Sequence, residues 1–367
     1  MALALENVSK VVQGQTHIYP TNLECAPGSF NVLLGLTRSG KTSLMRLMAG
    51  LDQPTRGRIR MDGVDVTGVP VRKRNVAMVY QQFINYPSMN CFDNIASPLR
   101  LLRLSRPEIE QRVRREAERL HIEHLLDRMP AELSGGQQQR LAMARALVRD
   151  ASLLLLDEPL VNLDYKLREE LRAEMREIFA EREAIVVYAT TDPLEALTLG
   201  GSAAVLHQGR LIQYGLTGAV YHRPSSVPVT QVFSDPPMNL LRAEVADGEL
   251  RLAGEARLPL PSHFRDLAPG PVTVGIRPPH VMVTPRREDT LALHAEVEVA
   301  EVSGSETYVH LNWQGSGLVA QEEGVHPFAI GERIQVYVDP RHLFAFGADE
   351  ALLASPTARR ADRAAEH

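Results

Sequence analysis

The sequence is poor in the residues that build several common kinds of binding surface. It has two cysteines, Cys25 and Cys91, in 367 residues, too few for a disulfide framework and typical of small core side chains in a reducing compartment. Tryptophan occurs once and aromatic residues make up 5% of the chain, so platforms for stacking bases are not expected. The formal net charge is -5, whereas nucleic-acid-binding domains are usually basic. We therefore expect no nucleic acid among the partners.

Long apolar stretches are also missing. No run approaches the roughly 20 apolar residues that span a bilayer, and the opening MALALENVSK lacks the apolar core of a signal peptide. If the protein works at a membrane, we expect it to do so through a partner. With 44% hydrophobic and 23% charged residues, the chain has the composition of a globular protein with room for two domains.

Two kinds of sequence pattern follow one another along the chain. Up to about residue 235, short apolar runs alternate with longer helical patterns, which is typical of an α/β domain. After SDPPMNLL, at 234–241, the segments become short and strand-like with regular turn residues, which predicts a small β-barrel or sandwich. We place the domains at 1–235 and 236–354, followed by a flexible tail at 355–367.

A glycine-bearing loop separates the predicted strand FNVLLGL from a predicted helix. Its residues GLTRSGKT, at 35–42, satisfy the pattern G-x-x-x-x-G-K-[ST]. The glycines let backbone N–H groups face phosphate oxygens, Lys41 supplies a positive charge for the terminal phosphates, and Thr42 offers its hydroxyl to Mg²⁺. We expect the nucleotide-binding residues of this loop to be Gly35, Thr37, Arg38, Ser39, Gly40, Lys41, Thr42 and Ser43.

Two acidic residues end the apolar run LLLL at 153–156. This position puts Asp157 near a magnesium ion and turns Glu158 toward the terminal phosphate, where it could polarise a water as a general base. Solvated acids closing a strand are the plainer interpretation. The functional one gains weight because open parallel sheets bind ligands at the carboxyl ends of their strands, where both motifs lie.

The segment LSGGQ precedes that strand. Ser134 is suited to cap a helix, and Gly135 and Gly136 allow backbone amides to approach a phosphate closely. Considered alone, the segment could be an ordinary helix start. Its place shortly before the aspartate strand is what makes it diagnostic.

Together these motifs resemble the ATP-binding subunits of ABC transporters, and the resemblance covers essentially the whole chain. GLTRSGKT looks like the Walker A loop, LLLLDEP is similar to Walker B, and LSGGQ is the family signature. VNLD resembles the loop that follows Walker B, with Asp164 in the aspartate position. Gln81, in VYQQFINYP, matches the glutamine loop that senses Mg²⁺ and faces the membrane partner.

The C-terminal part also resembles a known group. MNLL, VGIRPPH and VYVDPRHLFAFG are similar to the extra barrel domain of carbohydrate-importer ATPases, the maltose and glycerol-phosphate group. THIYPTNLE, YQQFINYPSMN and IASPLR look closest to one of the two paired ATPases of bacterial glycerol importers. Glycerol or a related polyol as the transported substrate is implied by this resemblance alone, and oligosaccharides and glycerol phosphate stay open.

The resemblance implies a fold, cofactors and partners. The fold is a P-loop domain, with a parallel sheet and helical and antiparallel β subdomains, followed by a small OB-like β-barrel. The cofactors are ATP and Mg²⁺, with Thr42, Gln81 and Asp157 at the metal. The expected partners are two permease subunits at the cytoplasmic face of the inner membrane, a second ATP-binding subunit and, indirectly, a periplasmic substrate-binding protein. In the family's head-to-tail dimer, one chain completes the other's site with Ser134, Gly135, Gly136 and Gln137.

One position departs from the family pattern. The strand AIVVYATT ends where the family has a histidine, and alignment on Asp192 and EALTL places Thr191 there. A threonine hydroxyl is shorter, stays neutral and tends to bond its own backbone. Losing one preorganised donor to a developing oxyanion costs on the order of 10²–10³ in rate. Asp192 is still expected to cap the next helix, with Glu195 closing a capping box.

Two further departures agree with a weakened site. Val12 stands near the position of the aromatic residue that stacks on adenine, with Tyr19 or His17 as substitutes, and Val161 replaces the serine usual before the aspartate loop. We predict that this chain binds ATP but hydrolyses it poorly, and that it completes a competent site in a heterodimer. The alternatives are a fully active homodimer, a soluble ATPase of DNA repair or translation, and a mainly regulatory nucleotide-binding module.

Overall fold

The computed structural model describes residues 2–102, 104–161, 163, 165–180, 183–253, 256–285 and 290–356. The chain forms two compact units, Met1–Thr217 and Gly218–His367. Among the described helices, none combines the length and apolar character needed to cross a membrane. Of the predicted tail, 355–367, only the first two residues are described.

The first unit alternates strands and helices. In chain order its elements are β1 (Leu3–Val12), β2 (Gln15–Cys25), β3 (Phe30–Leu34), α1 (Lys41–Ala49), β4 (Arg56–Met61), β5 (Val64–Asp65), β6 (Val76–Val79), α2 (Cys91–Arg100), α3 (Arg106–Arg119), α4 (Gly135–Leu147), β7 (Leu153–Asp157), α5 (Tyr165–Ala180), β8 (Ile185–Thr190), α6 (Pro193–Leu199), β9 (Ser202–His207) and β10 (Arg210–Leu216).

A six-stranded sheet in the order β10-β9-β3-β8-β7-β6 forms the centre of this unit. All neighbours in it are parallel except the β9–β10 pair. Strands β7 and β8 are buried along their whole length, which explains why their sequences are continuously apolar instead of alternating. The parallel arrangement brings the carboxyl ends of β3, β7 and β8 to one edge of the sheet.

A second, antiparallel sheet in the order β2-β1-β4-β5 lies in the same unit. Helix α1 joins the two sheets, because its buried residues Leu44, Met45, Leu47 and Met48 belong to one core with side chains of β1, β4, β7 and β8. Burying four such side chains stabilises the contact by roughly 1.5–3 kcal/mol each. The helix that follows the glycine-bearing loop is therefore fixed on both sides.

In its described residues, the second unit contains two short α-helices, a few 3-10 turns and antiparallel strands. Its elements are α7 (Thr217–His222), which begins at the division, α8 (Val227–Val232), β11 (Asn239–Ala246), β12 (Glu249–Leu252), β13 (Arg257–Pro259), β14 (Gly270–Ile276), β15 (Val281–Met282), β16 (Leu291–Val302), β17 (Glu306–Trp313), β18 (Ser316–Glu323), β19 (Arg333–Val338), β20 (Phe344–Phe346) and β21 (Leu352–Ala354).

Two sheets enclose the core of the second unit. Their orders are β13-β12-β11-β14-β20-β21 and β15-β19-β16-β17-β18, and apolar side chains from both contribute to one cluster. Asn239 connects the sheets, since its side chain donates to the carbonyl of Val319 at 2.9 Å and accepts from the Val319 N–H at 2.7 Å. The predicted fold class, an α/β domain followed by a small β-barrel, is confirmed. The domain limits at 235 and 354 stay predictions.

Candidate functional site

The loop between β3 and α1 has a tightly curled backbone. The Gly35 N–H donates to the carbonyl of Thr190 at 3.3 Å, and a Cβ at Gly35 would lie 2.4 Å from Ser39 Oγ and 2.5 Å from Leu206 O. Arg38 and Gly40 have left-handed φ angles of 67° and 104°, a conformation that glycine adopts without steric cost. The loop thus reverses its direction at the N-terminus of α1, an arrangement that suits an anion.

The Lys41 side chain lies along the inside of this loop. Its Nζ donates to the carbonyl of Gly35 at 2.7 Å and to that of Leu36 at 3.3 Å, and it lies 3.1 Å from Glu158 Oε1. The exposed fractions of the two charged side chains are 4% and 16%. The predicted phosphate-binding cation and the predicted general base therefore form an ion pair.

Thr42 and Asp157 meet at the same edge of the sheet. The Thr42 hydroxyl donates to Asp157 Oδ1 at 3.1 Å. Desolvation by burial raises the pKa of Asp157, the negative charge of Glu158 raises it further, and the Thr42 hydroxyl and Lys41 oppose the shift. Hydroxyl and carboxylate oxygens are ligands that Mg²⁺ accepts, and a buried carboxylate beside a second one is stabilised by a cation. The residues present fit a magnesium ion.

Glu158 is held from two directions in a strained backbone conformation. Its Oε2 accepts from Gln81 Nε2 at 3.1 Å, and its N–H donates to the carbonyl of Ala189 at 3.0 Å. Its φ is 46°, in the left-handed region that a glutamate rarely occupies. Such strain is characteristic of functional positions. The structure thus brings together Lys41, Thr42, Gln81, Asp157 and Glu158 from three separate segments of the chain.

Thr191 directly follows β8. In the sheet register Thr190 lies opposite Leu34 and Ala189 lies opposite Asp157. Thr191 is therefore at the edge that carries both the loop between β3 and α1 and the carboxylates of Asp157 and Glu158. The structure gives its hydroxyl no hydrogen bond to any of the described residues, and the side chain is half-buried. Its part in catalysis stays a prediction.

The residues after Thr191 partly differ from expectation. Asp192 caps α6 as predicted, its Oδ1 accepting from the Leu194 N–H at 2.8 Å, with Pro193 in the first turn. The predicted capping box with Glu195 is wrong. The Asp192 N–H donates to Thr190 Oγ1 at 2.9 Å, while Glu195 is buried and accepts from Tyr188 and Thr190. Residues 188 and 190 share one face of β8, and their hydroxyls donate hydrogen bonds to the Glu195 carboxylate.

The signature segment forms the start of α4. The Ser134 Oγ accepts from the Gln137 N–H at 3.4 Å, so Ser134 caps the helix as predicted, and the Gln137 Oε1 accepts from the Ser134 N–H at 3.0 Å, which completes a capping box. Gly136 is buried, and a Cβ at the exposed Gly135 would meet none of the described atoms within 4 Å. These hydrogen bonds are local to the segment, and the structure does not bring it to Lys41.

The remaining predicted site residues are distributed around the loop. Thr37 and Arg38 are exposed and Ser43 is half-buried. Val12 is 37% exposed, and the ring of Tyr19 already carries the guanidinium of Arg210 at 3.6 Å from its centroid. Asp164 lies outside the described residues.

A groove of about 230 Å³ near the glutamine loop was not predicted. Side chains of β6, α2 and α4 line it, together with Ile84 and Tyr86. The guanidinium of Arg145, on α4, lies 4.6 Å from the centroid of the Tyr86 ring, and Asn85 Nδ2 donates to the carbonyl of Gln138 at 2.8 Å. The groove therefore contacts the same helix that begins with the signature segment.

Comparisons with known families agree with this geometry. The family model described as ABC transporter matches residues 18–161, that described as MalK OB fold domain matches 235–281, and that described as TOBE domain matches 274–346. The second unit accordingly contains an OB-type fold.

Similar proteins cover nearly the whole chain. The sn-glycerol-3-phosphate import ATP-binding protein UgpC of Pectobacterium atrosepticum is 35% identical, over 93% of this chain and 97% of that protein. The trehalose/maltose import ATP-binding protein MalK of Thermococcus litoralis is 38% identical, over 93% and 96%. A solved ATP-binding cassette, a dimer in a post-hydrolysis state with ADP and Pi, is 27% identical with a TM-score of 0.53, covering 59% of this chain and 98% of its own.

Proposed function

The chain belongs to the family of ABC importer ATP-binding subunits, and on that premise we propose that it powers the uptake of a carbohydrate or polyol, with glycerol, glycerol phosphate and oligosaccharides as the candidates. Relatives named for sn-glycerol-3-phosphate and for trehalose/maltose support this substrate class. The barrel domain matched by the MalK-type model supports the same group of importers.

ATP is the nucleotide of this family, and the loop from Gly35 to Thr42 is where its phosphates would bind. Mg²⁺ would be held by Thr42, Asp157 and Gln81, and when bound it neutralises charge on the phosphates during transfer. Lys41 contributes a second positive charge there. Glu158 is placed to orient a water and accept its proton.

We propose that hydrolysis at this site is slow, and the observation that carries the proposal is the threonine at position 191. The residue follows β8 at the edge of the sheet that bears the phosphate-binding loop. A hydroxyl on a short side chain supplies no positive charge and reaches less far than an imidazole. The missing donor corresponds to a loss in rate of about 10²–10³. Binding depends on Lys41 and the loop backbone, so it is retained.

The intact signature segment supports a partner with its own catalytic centre. Ser134 and Gly135 are exposed at the N-terminus of α4, where a helix favours a negatively charged group. We propose that this end of α4 completes the nucleotide site of a second, different ATP-binding subunit. The assembly then has one fast and one slow site.

The groove beside Tyr86 is proposed to receive a cytoplasmic helix of the permease. Ile84, Tyr86 and Leu101 line it and are 51%, 44% and 84% exposed, an apolar surface of the kind that marks protein contacts. Docking there would place the chain at the cytoplasmic face of the inner membrane, beside two permease subunits that receive substrate from a periplasmic binding protein.

Purification of the chain alone tests the asymmetry. The expected result is saturable Mg-ATP binding with slow phosphate release, and a large rise in phosphate release when the second ATP-binding subunit and the permease are added. Brisk hydrolysis by the isolated chain would support a self-paired, fully active ATPase instead. Uptake into vesicles that contain the complete importer, measured with glycerol, glycerol phosphate and maltose, identifies the substrate.

A further inference from the structure

Glu195 is a buried carboxylate with an unusual set of partners. It lies in the first turn of α6 and is 4% exposed. Its Oε2 accepts two hydrogen bonds, from Thr190 Oγ1 at 2.6 Å and from the Tyr188 hydroxyl at 2.9 Å. No salt bridge to Glu195 is found among the described residues. Two neutral hydroxyls therefore hold a buried acidic group.

Thr190 makes further hydrogen bonds that hold the backbone on both sides of Thr191. Its Oγ1, which donates to Glu195, also accepts from the Asp192 N–H at 2.9 Å. Its carbonyl accepts from the Gly35 N–H at 3.3 Å. The residue before Thr191 is thus attached to α6 and to the phosphate-binding loop, and the residue after it is attached to the same hydroxyl.

The buried Glu195 carboxylate is expected to lower the stability of the fold. Burial raises the pKa of Glu195, Asp192 raises it further, and the two hydroxyls and Arg168 oppose the shift. A buried carboxylate without an ion pair is less favourable than an apolar or amide side chain of similar size. Costly polar groups of this kind are typically kept for what they position.

We infer that Glu195 is a positioning residue that, through the Thr190 hydroxyl, fixes the backbone from 190 to 192 and so aims the side chain at position 191 toward the terminal phosphate. The inference deepens the proposed function and rests on it, since position 191 must act on the phosphate. Glu195 itself touches no reacting atom. It sets the direction from which residue 191 leaves the end of β8.

We call the hydrogen-bonded side chains of Tyr188, Thr190 and Glu195 the anchor. The test combines substitutions at the anchor with a histidine introduced at position 191. Thr190→Val, Glu195→Gln and Tyr188→Phe are made in the natural chain and in Thr191→His, in the complete importer. Thr191→His alone should raise turnover at this site. We expect Thr190→Val to remove about tenfold to a hundredfold of that gain, because small misplacements are expensive in catalysis, while the KM for ATP changes less than about twofold. Glu195→Gln and Tyr188→Phe should remove smaller parts of it.

Two variants separate positioning from general damage to the fold. Thr190→Ser keeps the hydroxyl and should recover most of the turnover lost in Thr190→Val. Thr230→Val removes another buried threonine hydroxyl, one that donates to the Val227 carbonyl in the second unit, and should leave turnover unchanged. Equal losses in Thr190→Ser and Thr190→Val would overturn the inference.

Amide hydrogen exchange tests the inference even when the substitutions do not change turnover. In the natural chain, Thr190→Val should speed exchange at the Asp192 N–H by about tenfold or more, since that N–H loses its acceptor. If Thr191→His fails to raise turnover, the slow-site proposal fails, but faster exchange at Asp192 still supports the anchor. Unchanged exchange at Asp192 in both Thr190→Val and Glu195→Gln would refute the anchor, whatever the activities.

Discussion

Lys41 Nζ and Glu158 Oε1 lie 3.1 Å apart at the carboxyl end of the central sheet. The lysine comes from the start of α1 and the glutamate follows β7, so the pair joins two motifs that are far apart in the sequence. Both side chains are largely buried. The cation expected to bind a phosphate is thus already paired with the carboxylate expected to activate water.

This pairing predicts how Glu158→Gln changes nucleotide affinity. The substitution removes the negative charge that faces Lys41 and leaves the charge of Lys41 uncompensated. In the isolated chain we expect Mg-ATP to bind about tenfold more tightly, which corresponds to ~1.4 kcal/mol, while the already slow phosphate release from this chain's own site falls below detection. Equilibrium binding of a fluorescent ATP analogue measures the affinity. Glu158→Asp, which keeps the charge, is the control, and weaker binding in Glu158→Gln would contradict the account.

The signature segment and Glu158, the proposed general base, should contribute unequally to turnover in the proposed asymmetric assembly. Gly135→Asp places a negative charge where α4 is proposed to meet the partner's nucleotide, and we expect total turnover to fall at least about tenfold. Glu158→Gln should lower it less than about twofold, because the site it belongs to is already slow. Gly135→Ala is the matched control, since a Cβ there meets no described atom within 4 Å. Equal losses for Gly135→Asp and Glu158→Gln would indicate two equivalent sites.

The sequence was most informative where a motif and its local structure coincide. The strand LLLL at 153–156 is buried as its composition predicts, and Ser134 is the N-cap of α4 as expected. Such features depend on neighbours within a few residues. They can be read from periodicity and spacing without knowledge of the tertiary structure.

What escaped prediction depends on side chains that meet only after folding. Glu195 has the spacing of a capping box, yet Tyr188 and Thr190 on the adjacent strand compete for its carboxylate and bind it. The groove near Tyr86 combines a strand, two helices and a loop, and no single segment carries its pattern. Even the pairing of Lys41 with Glu158 follows from the strand order and not from either motif alone.

The two cysteines should be unreactive in the folded protein. Both are buried and unpaired, and desolvation raises the pKa of the Cys25 thiol to about 12 and that of Cys91 to about 11. We expect neither to react with a thiol reagent at pH 8 unless the protein unfolds, because the thiolate is the nucleophile. Rapid labelling of the native chain, at a rate independent of denaturant, would contradict this.

The same shifts predict how stability depends on alkaline pH. Since the folded-state pKa of each thiol is raised, each thiol contributes fully to the free energy of unfolding below its unfolded-state pKa of about 9. The contribution is lost as the pH rises through the folded values of about 11 and 12. The free energy of unfolding should therefore fall above pH 9, and it should fall less in a Cys25→Ala, Cys91→Ala variant. Denaturant titration at pH 8 and pH 10 measures both.

The groove predicts which surface residues support the permease contact. Ile84 and Leu353 are both 51% exposed, but only Ile84 lines the groove. Ile84→Ala should weaken capture of the permease subunits by about tenfold, the cost of losing part of one apolar anchor, with ATP binding intact. Leu353→Ala is the matched control. Equal capture by the two variants would remove the groove as the docking site.

The decisive measurement is phosphate release from this chain's own site after Thr191→His, in an importer whose partner ATP-binding subunit has been inactivated at its catalytic glutamate. We expect the rate of phosphate release to rise about 10²–10³-fold over that of the natural chain, with the affinity for ATP nearly unchanged. An unchanged rate after Thr191→His, or a natural chain that is already as fast as the variant, would contradict it.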